Sequence, residues 1–119
     1  MAGKPIIRHE ADAPTEPSTC GRRYRLLSRE DAGEGPAAWA HVVEIDGSRE
    51  HYHKRGTEIY YVLEGEGAIR LDGCEHPIRQ GTLVHIPAGV VHGAVGRMRV
   101  LVLGIPDIDE DDLFFPATA

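Results

Sequence analysis

Short alternating segments separated by turn residues are the feature of this sequence that most constrains its fold. From Tyr24 onward, apolar and polar residues alternate over stretches of roughly four to eight positions, and each stretch ends at a turn signal. The turn signals are Gly47, Arg55-Gly56, Gly65-Glu66-Gly67, Asp72-Gly73, Gly81 and Ala88-Gly89. Alternation with a period of two is typical of a strand with one buried face. The pattern therefore predicts an all-β chain.

The candidate strands cover residues 24–28, 38–45, 51–54, 58–64, 67–72, 76–78, 83–86, 91–95 and 98–105. No stretch supports a long amphipathic helix. The Asp72-Gly73 pair predicts a two-residue hairpin turn, because both central positions of a type I′ turn need positive φ. With 119 residues, the chain has the length of one domain.

The two ends of the chain differ from its middle. Residues 1–20 are polar, contain three prolines and show no periodicity, which indicates an extended N-terminal arm before a barrel over residues 21–106. In the tail, residues 107–119, five of the first six positions are acidic, and Leu113, Phe114 and Phe115 follow. Calcium binding is one reading of this acidic cluster, but the cluster lacks the glycine and the final glutamate of an EF-hand loop. We therefore predict a solvated acidic linker followed by a docking apolar segment.

Charge and hydropathy exclude several classes of function. A formal net charge of -6, with no stripe of Lys or Arg, argues against a nucleic-acid partner. The longest apolar run, from Val100 to Leu103, is far shorter than the roughly 20 residues that cross a bilayer, so no membrane span is expected. The N-terminus lacks the apolar core of a secretory signal, which predicts a cytoplasmic location. Cys20 and Cys74 have no CxxC partner and are interpreted as free thiols.

Two histidines alternate in His51-Tyr52-His53. Side chains two apart on a strand point to the same face, so both imidazoles are expected to project side by side. Taken alone, two alternating histidines on a strand are more often surface residues or hydrogen-bonded core residues than metal ligands.

A carboxylate follows five residues after the second histidine. The intervening residues allow a turn that brings Glu58 back beside the imidazoles, and alternation places Tyr60 and Val62 on the same face. A buried glutamate is unfavourable unless it is paired or bound to a metal, so this position indicates a cation. A surface Glu58 in a salt bridge is the alternative. Tyr60 is the candidate pocket residue, with core packing as its alternative.

The fourth member of the set is His92, which follows a strand and a turn shaped by Pro87 and Gly89. Three neutral imidazole nitrogens and one carboxylate suit Mn, Fe, Co, Ni, Cu or Zn, whereas Ca and Mg prefer oxygen ligands. The ligand type limits the choice to these six metals and does not identify one of them.

The segment from Gly47 to Gly96 resembles the two signature motifs of the cupin superfamily, in the compact single-domain form. In the first motif, four residues separate the HxH pair from Glu58 and six separate Glu58 from Gly65. The second motif is matched by Gly81, Pro87, Gly89 and His92. The sequence departs from the pattern at three positions, with Gly47 closer to the HxH pair, Thr82 in place of Asp and Gly96 in place of Asn.

This resemblance implies a double-stranded β-helix, a jelly-roll barrel of two antiparallel sheets. It also implies one divalent transition metal held by His51, His53, Glu58 and His92, with one or two coordination positions open. A barrel that holds no metal is the alternative. Homodimers are common in the family, so the apolar strand RVLVLGIP and the N-terminal arm are candidate packing surfaces, although both could also be buried within one subunit.

The function predicted from this resemblance is a metal-dependent enzyme acting on a small polar or anionic metabolite. Dioxygenase, isomerase or epimerase, and lyase reactions all fit such a metal. The alternatives are a non-catalytic module that binds or senses a small molecule, and a purely structural role.

Further residues stay outside the predicted site or at its edge. His41 and His85 lie on strands and are not assigned to the site, and Trp39 is expected in the core. Arg70 and Arg79 are candidates for neutralising an anionic substrate, with a solvent-facing Arg70 as the alternative.

Overall fold

The computed structural model describes residues 5–28, 31, 38–106 and 111–117. Among the described residues the elements are one short 3-10 helix, Glu10–Asp12, and antiparallel strands, which confirms the all-β prediction. The strands are β1 (Thr15–Ser18), β2 (Gly21–Leu27), β3 (Trp39–Asp46), β4 (Thr57–Leu71), β5 (Cys74–Arg79), β6 (Leu83–Ile86) and β7 (His92–Ile105). Within the described residues, no helix is long and apolar enough to span a bilayer.

Two long strands form the backbone of the barrel. β4 and β7 pair along their whole length, from Thr57 opposite Ile105 to Leu71 opposite His92. The strand order is β1-β2-β3-β7-β4-β5, and β6 pairs with the first part of β4. On the side of β4 that faces away from β7, β6 pairs with its first part and β5 with its second part. The long pair of β4 and β7 therefore runs through both parts of the barrel.

The prediction of separate strands at 58–64 and 67–72, and at 91–95 and 98–105, is wrong. Each pair is one continuous strand, because the glycine between its two predicted halves only bends it. Gly65 and Gly96 have φ of 88° and 97°, and pairing continues across both positions. A bulge between Val62 and Glu64 shifts the register of β4.

The hairpin predicted at Asp72-Gly73 is confirmed. Both residues have positive φ, 49° and 86°, and Leu71 pairs with Cys74 on either side of the turn.

Two local predictions require correction. The predicted arm, of which residues 1–4 lie outside the described residues, contains strand β1, which pairs with β2. An ion pair of 2.6 Å between Arg99 and Glu10 also ties this segment to β7. The predicted strand at 51–54 consists only of two isolated bridges, His51 with His92 and Tyr52 with Phe114, because its residues leave the sheet toward the loop that precedes β4.

The interior follows the alternation that the sequence predicts for β4. Glu58, Tyr60 and Val62 are buried, while Tyr61 is exposed on the opposite face. The apolar part of the interior is tightly enclosed, with Val62 and Val100 fully buried and Ile69 1% exposed. Each such side chain contributes about 1.5–3 kcal/mol on burial, so the core forms a rigid support for the polar groups at the start of β4.

Candidate metal centre

Four side chains that can bind a metal converge inside the barrel. His51, His53, Glu58 and His92 are all buried, and their ligand atoms lie within 4.8 Å of one another. The Nε2 atoms of His53 and His92 lie 2.8 Å and 2.9 Å from the same carboxylate oxygen of Glu58. The structure thus brings together all four residues that the sequence singles out.

Backbone pairing places these residues. His92 is the first residue of β7, and two hydrogen bonds of 3.0 Å and 2.8 Å join its backbone to that of His51. Glu58 lies at the second position of β4, where it pairs with Gly104 on one side and Ile86 on the other. The ligands therefore come from three segments that are held by separate sets of hydrogen bonds.

Each imidazole is oriented by a hydrogen bond from its Nδ1 to a backbone carbonyl. A carbonyl oxygen only accepts, so Nδ1 carries a proton in all three rings, and Nε2 is the nitrogen left to face the cluster, where it binds either a proton or a metal ion. Such outer contacts are typical of metal-binding histidines. The donors and their acceptors are His51 to Arg49 (2.7 Å), His53 to Asp112 (2.6 Å) and His92 to Val90 (3.0 Å).

The short distances between nitrogen and oxygen need a positive charge between them. Two lone pairs that face each other at 2.8 Å repel unless a proton or a metal ion lies between the atoms. Among the described residues, no buried side-chain nitrogen or oxygen lacks a partner. The cluster is therefore satisfied by protons when it holds no metal, and a divalent cation can replace them.

Electrostatics favour an anionic carboxylate. Burial raises the pKa of Glu58, but hydrogen bonds from His53 and His92 outweigh it and lower that pKa to about 2. Burial lowers the pKa of His53, while the hydrogen bond and the charge of Glu58 raise it, with a net increase. Burial, together with the charge of His92, lowers the pKa of His51 to about 4, so this ring is neutral at pH 7. Neutral imidazole and ionised carboxylate are the forms that bind first-row divalent metals.

Tyr60 lies beside the cluster and is almost fully buried. Its ring is 6.2 Å from the His92 ring, nearly perpendicular to it, and its hydroxyl is 4.0 Å from the sulfur of Cys20. Burial raises the pKa of Tyr60 well above its usual value and that of Cys20 to about 11. Both groups are thus protonated at neutral pH and can donate hydrogen bonds. The role of Tyr60 as a pocket residue stays a prediction.

Trp39 packs against the core, as expected, and its indole covers Gly104, which lies between Trp39 and Glu58 in the sheet. Gly104 pairs with Trp39 on one side and with Glu58 on the other, so all three share the inward face. A Cβ at Gly104 would lie 2.2–2.6 Å from three indole atoms, which shows that the indole covers this glycine. The sequence could not indicate this, because it depends on the register of two strands that are distant in the chain.

Asp112 corrects the interpretation of the acidic tail. Residues 107–110 lie outside the described residues, and the exposed Asp111 fits the predicted solvated linker. Asp112, however, is 1% exposed, and its carboxylate accepts hydrogen bonds from the backbone N–H groups of Lys54, Arg55 and Gly56. Three such bonds compensate for the loss of hydration, which is why a carboxylate can be buried here.

The remaining candidates lie outside the cluster. His41 is buried against Ser28 and stacks on Trp39, and His85 is exposed. Arg70 is exposed and pairs with Glu75 at 3.5 Å, so the solvent-facing alternative is correct. Arg79 is also exposed and borders a surface cleft of about 780 Å³ that contains none of the four clustered residues.

Fold and site together define a class of protein, a small antiparallel β-barrel with a buried cluster of three histidines and one glutamate. The sequence profile of the family described as "Cupin domain" matches residues 35–104 of the 119 residues. The chain therefore belongs to the cupin domain family.

Comparison with individual proteins agrees with this assignment. A crystal structure of a protein from Planctomyces limnophilus superimposes with a TM-score of 0.85 at 26% identity, covering 94% of this chain and 97% of that one. Quercetin 2,3-dioxygenase of Bacillus subtilis is 42% identical over 43 residues, which are 36% of this chain and 13% of that protein. Dimethylsulfoniopropionate lyase DddW of Ruegeria pomeroyi is 43% identical over 47 residues, 40% of this chain and 30% of the lyase. The chain thus spans less than a third of the length of either named enzyme.

Proposed function

We propose that this protein is a metal-dependent enzyme that acts on a small polar or anionic metabolite. In this proposal His51, His53, Glu58 and His92 hold one divalent transition metal, which is Mn, Fe, Co, Ni, Cu or Zn. The observation that carries the proposal is the convergence of three buried imidazoles and one buried carboxylate, whose candidate ligand atoms lie within 4.8 Å of one another, with every Nδ1 hydrogen-bonded to a carbonyl.

The donor set supports a transition metal over calcium or magnesium, because three of its four atoms are nitrogens. Bound there, such a metal would polarise an oxygen of the substrate or acidify a water molecule. Glu58 supplies the negative charge that offsets the cation, and the apolar surroundings of the cluster exclude bulk water. Tyr60 and Cys20 keep their protons at neutral pH, so they serve as hydrogen-bond donors to a ligand rather than as bases.

The two named relatives support two of the three proposed reaction classes. One is a dioxygenase and the other a lyase, and each is matched over a short segment only. Both reactions suit a substrate whose oxygen atoms bind the metal directly, and isomerase or epimerase chemistry requires the same contact. Dependence of turnover on dioxygen separates the first class from the other two.

The metal site is tested by loading the purified protein with each candidate metal and measuring its thermal unfolding. Binding to the folded state alone stabilises it by about 2.7 kcal/mol when the free metal is at roughly a hundred times its Kd. We expect stabilisation by at least one of the six transition metals and little by calcium or magnesium. His53→Ala should weaken binding, whereas the matched control His85→Ala, which removes an exposed histidine from a neighbouring strand, should not. Equal metal affinity in wild type and His53→Ala would contradict the proposal.

Catalysis is tested separately from metal binding. The metal-loaded protein is incubated with panels of flavonols, sugar acids and sulfonium compounds, and both thermal stability and product formation are followed. Turnover that is lost on chelation supports an enzyme. A ligand that stabilises the protein without forming a product indicates the non-catalytic binding or sensing module instead.

We also propose that the protein forms a homodimer through the outer face of the sheet. Leu83 is 60% exposed and pairs with Tyr61, which is 42% exposed, so two large apolar side chains lie side by side on the surface. Light scattering coupled to size exclusion gives the mass in solution, and Leu83→Glu should shift a dimer toward the monomer. A wild-type mass of one chain would refute this part of the proposal. We further propose a cytoplasmic location, which the free thiols of Cys20 and Cys74 support, because thiols stay reduced in that compartment.

A further inference from the structure

The C-terminal strap, defined here as residues 112–115, runs along the segment that carries His51 and His53. Two backbone hydrogen bonds of 2.9 Å and 3.0 Å join Tyr52 to Phe114, and the rings of these two residues stack with centroids 5.6 Å apart. On its other side the same segment is paired with β7 through His51 and His92. The ligand-bearing segment therefore lies between β7 and the strap, and it is ordered by both.

Asp112 makes two different contacts with this region. Its carboxylate accepts hydrogen bonds from three consecutive backbone N–H groups, at 2.8 Å from Lys54, 3.1 Å from Arg55 and 3.0 Å from Gly56. This loop connects His53 to Glu58, so its conformation sets the separation of those two groups. The backbone carbonyl of Asp112 accepts the hydrogen bond from Nδ1 of His53 at 2.6 Å.

His53 differs from the other two histidines in the origin of its hydrogen-bond acceptor. The acceptors of His51 and His92 are carbonyls only two residues away in the chain, so those rings are oriented locally. The acceptor of His53 lies 59 residues away, in the strap. Only this imidazole of the three therefore depends on the docking of a remote segment for its tautomer and its direction.

We propose that Asp112 is a positioning residue of the metal centre and that docking of the strap and binding of the metal are thermodynamically coupled. The inference rests on the proposed function, because it requires that the cluster binds a metal. Coupling of this kind is reciprocal. A docked strap raises metal affinity by presenting Nε2 of His53, and bound metal stabilises the docked strap by the same free energy.

The first test compares the zinc affinity of three variants with that of the wild type, by competition with a chromophoric chelator at a temperature where circular dichroism shows each variant folded. Asp112→Ala removes the three hydrogen bonds from the loop to the carboxylate, and with them the docking that places the Asp112 carbonyl against His53. It should raise the Kd about 10- to 100-fold, the range typical when an outer contact of a metal ligand is lost. Asp112→Asn should have a smaller effect, since its amide oxygen can still accept from the loop. The matched control is Asp111→Asn, which removes the same charge one residue earlier from an exposed ion pair with Arg55, and it should leave the Kd unchanged.

The second test reads the coupling in the opposite direction and does not require a variant that folds. Hydrogen exchange of the wild-type protein should slow at the amides of Lys54, Arg55, Gly56 and Phe114 when zinc is added, and exchange in the hairpin at Asp72-Gly73 should not change. A third readout uses the Nδ1–H proton of His53 in zinc-loaded protein, which should exchange slowly with solvent in the wild type because it is hydrogen-bonded to the carbonyl of Asp112. Faster exchange of this proton in folded Asp112→Ala, with the Nδ1–H proton of His92 unchanged, distinguishes positioning from a purely structural role.

The inference is overturned if Asp112→Ala binds zinc as tightly as the wild type, or if zinc leaves the exchange of the Phe114 amide unchanged. If Asp112→Ala does not fold, Asp112→Asn and the exchange experiment decide the question. Failure of the proposed function is recognised separately, because in that case the wild type and Asp111→Asn bind no metal at all.

Discussion

Replacement of Gly104 by alanine should displace the indole of Trp39 from its position over that residue. The new Cβ would lie 2.2 Å, 2.3 Å and 2.6 Å from three atoms of a rigid bicyclic ring, and real Cβ contacts are not found at such distances. The ring cannot move freely, because its other neighbour is the imidazole of His41 at a centroid distance of 4.4 Å. Overpacking of this kind costs about 1–3 kcal/mol, which corresponds to a decrease in Tm of roughly 3–15 °C for a domain of this size.

The assay is intrinsic fluorescence combined with thermal unfolding, and Trp39 is the single tryptophan of the chain, so the emission reports on this ring alone. We expect a red-shifted emission maximum and a lower Tm in Gly104→Ala. The double variant Gly104→Ala/Trp39→Phe should recover part of the lost Tm, because the smaller phenyl ring relieves the overlap with the new Cβ. Gly73→Ala is the control, since a Cβ added there would meet nothing within 4 Å among the described residues beyond its chain neighbours, and any loss comes from the positive φ alone. Unchanged emission and Tm in Gly104→Ala would refute the placement of Trp39.

Three further predictions concern the core, the cluster and the thiols. Ile69→Ala should lower the free energy of unfolding in urea by about 2–5 kcal/mol, whereas Ile7→Ala, at a fully exposed position, should leave it unchanged. The pKa of Glu58 is lowered from 4.5 to about 2 in the folded protein, so the ionised carboxylate stabilises the fold above pH 4.5, and this stabilisation is lost as the pH falls toward 2. Between pH 4.5 and pH 2 the free energy of unfolding of the metal-free wild type should therefore fall by on the order of 3 kcal/mol more than that of Glu58→Gln. Equal decreases of the two proteins in urea titrations would contradict the lowered pKa of Glu58. A thiol reagent should modify only the exposed Cys74 in the native protein, and Cys20, which is buried and has a pKa of about 11, only after unfolding; rapid reaction of both would be inconsistent with the structure.

Local pattern was sufficient to predict the fold class and the hairpin. Alternation placed Glu58, Tyr60 and Val62 on one face, and the structure buries all three. A type I′ turn requires positive φ at both central positions, and the Asp72-Gly73 pair adopts it at both. These features depend on neighbours in the sequence, so the sequence determines them directly.

Strand continuity could not be predicted in the same way. Gly65 and Gly96 carry the same local signal as a turn, but long-range pairing between β4 and β7 keeps both strands continuous through them. A glycine permits a turn and a bend equally, and the neighbouring strand decides between them.

The cluster was found from spacing, whereas the groups that support it were not. His51, His53 and Glu58 are close in the chain, and their alternation is visible. Asp112 and Trp39 reach the same region from segments that lie far away in the sequence. Asp112 also belongs to an acidic run that resembles a solvated tail. Only the backbone pairing of Tyr52 with Phe114 and of Trp39 with Gly104 brings them near the cluster.

The most direct test of the central proposal is an anomalous diffraction map of crystals grown after loading with one transition metal, collected above and below its absorption edge. We expect one strong peak per chain, about 2.0–2.2 Å from Nε2 of each of the three histidines and from a carboxylate oxygen of Glu58. A peak at any other position would contradict the account. So would a fully loaded protein with no peak between these four side chains, in which they keep their direct contacts with one another.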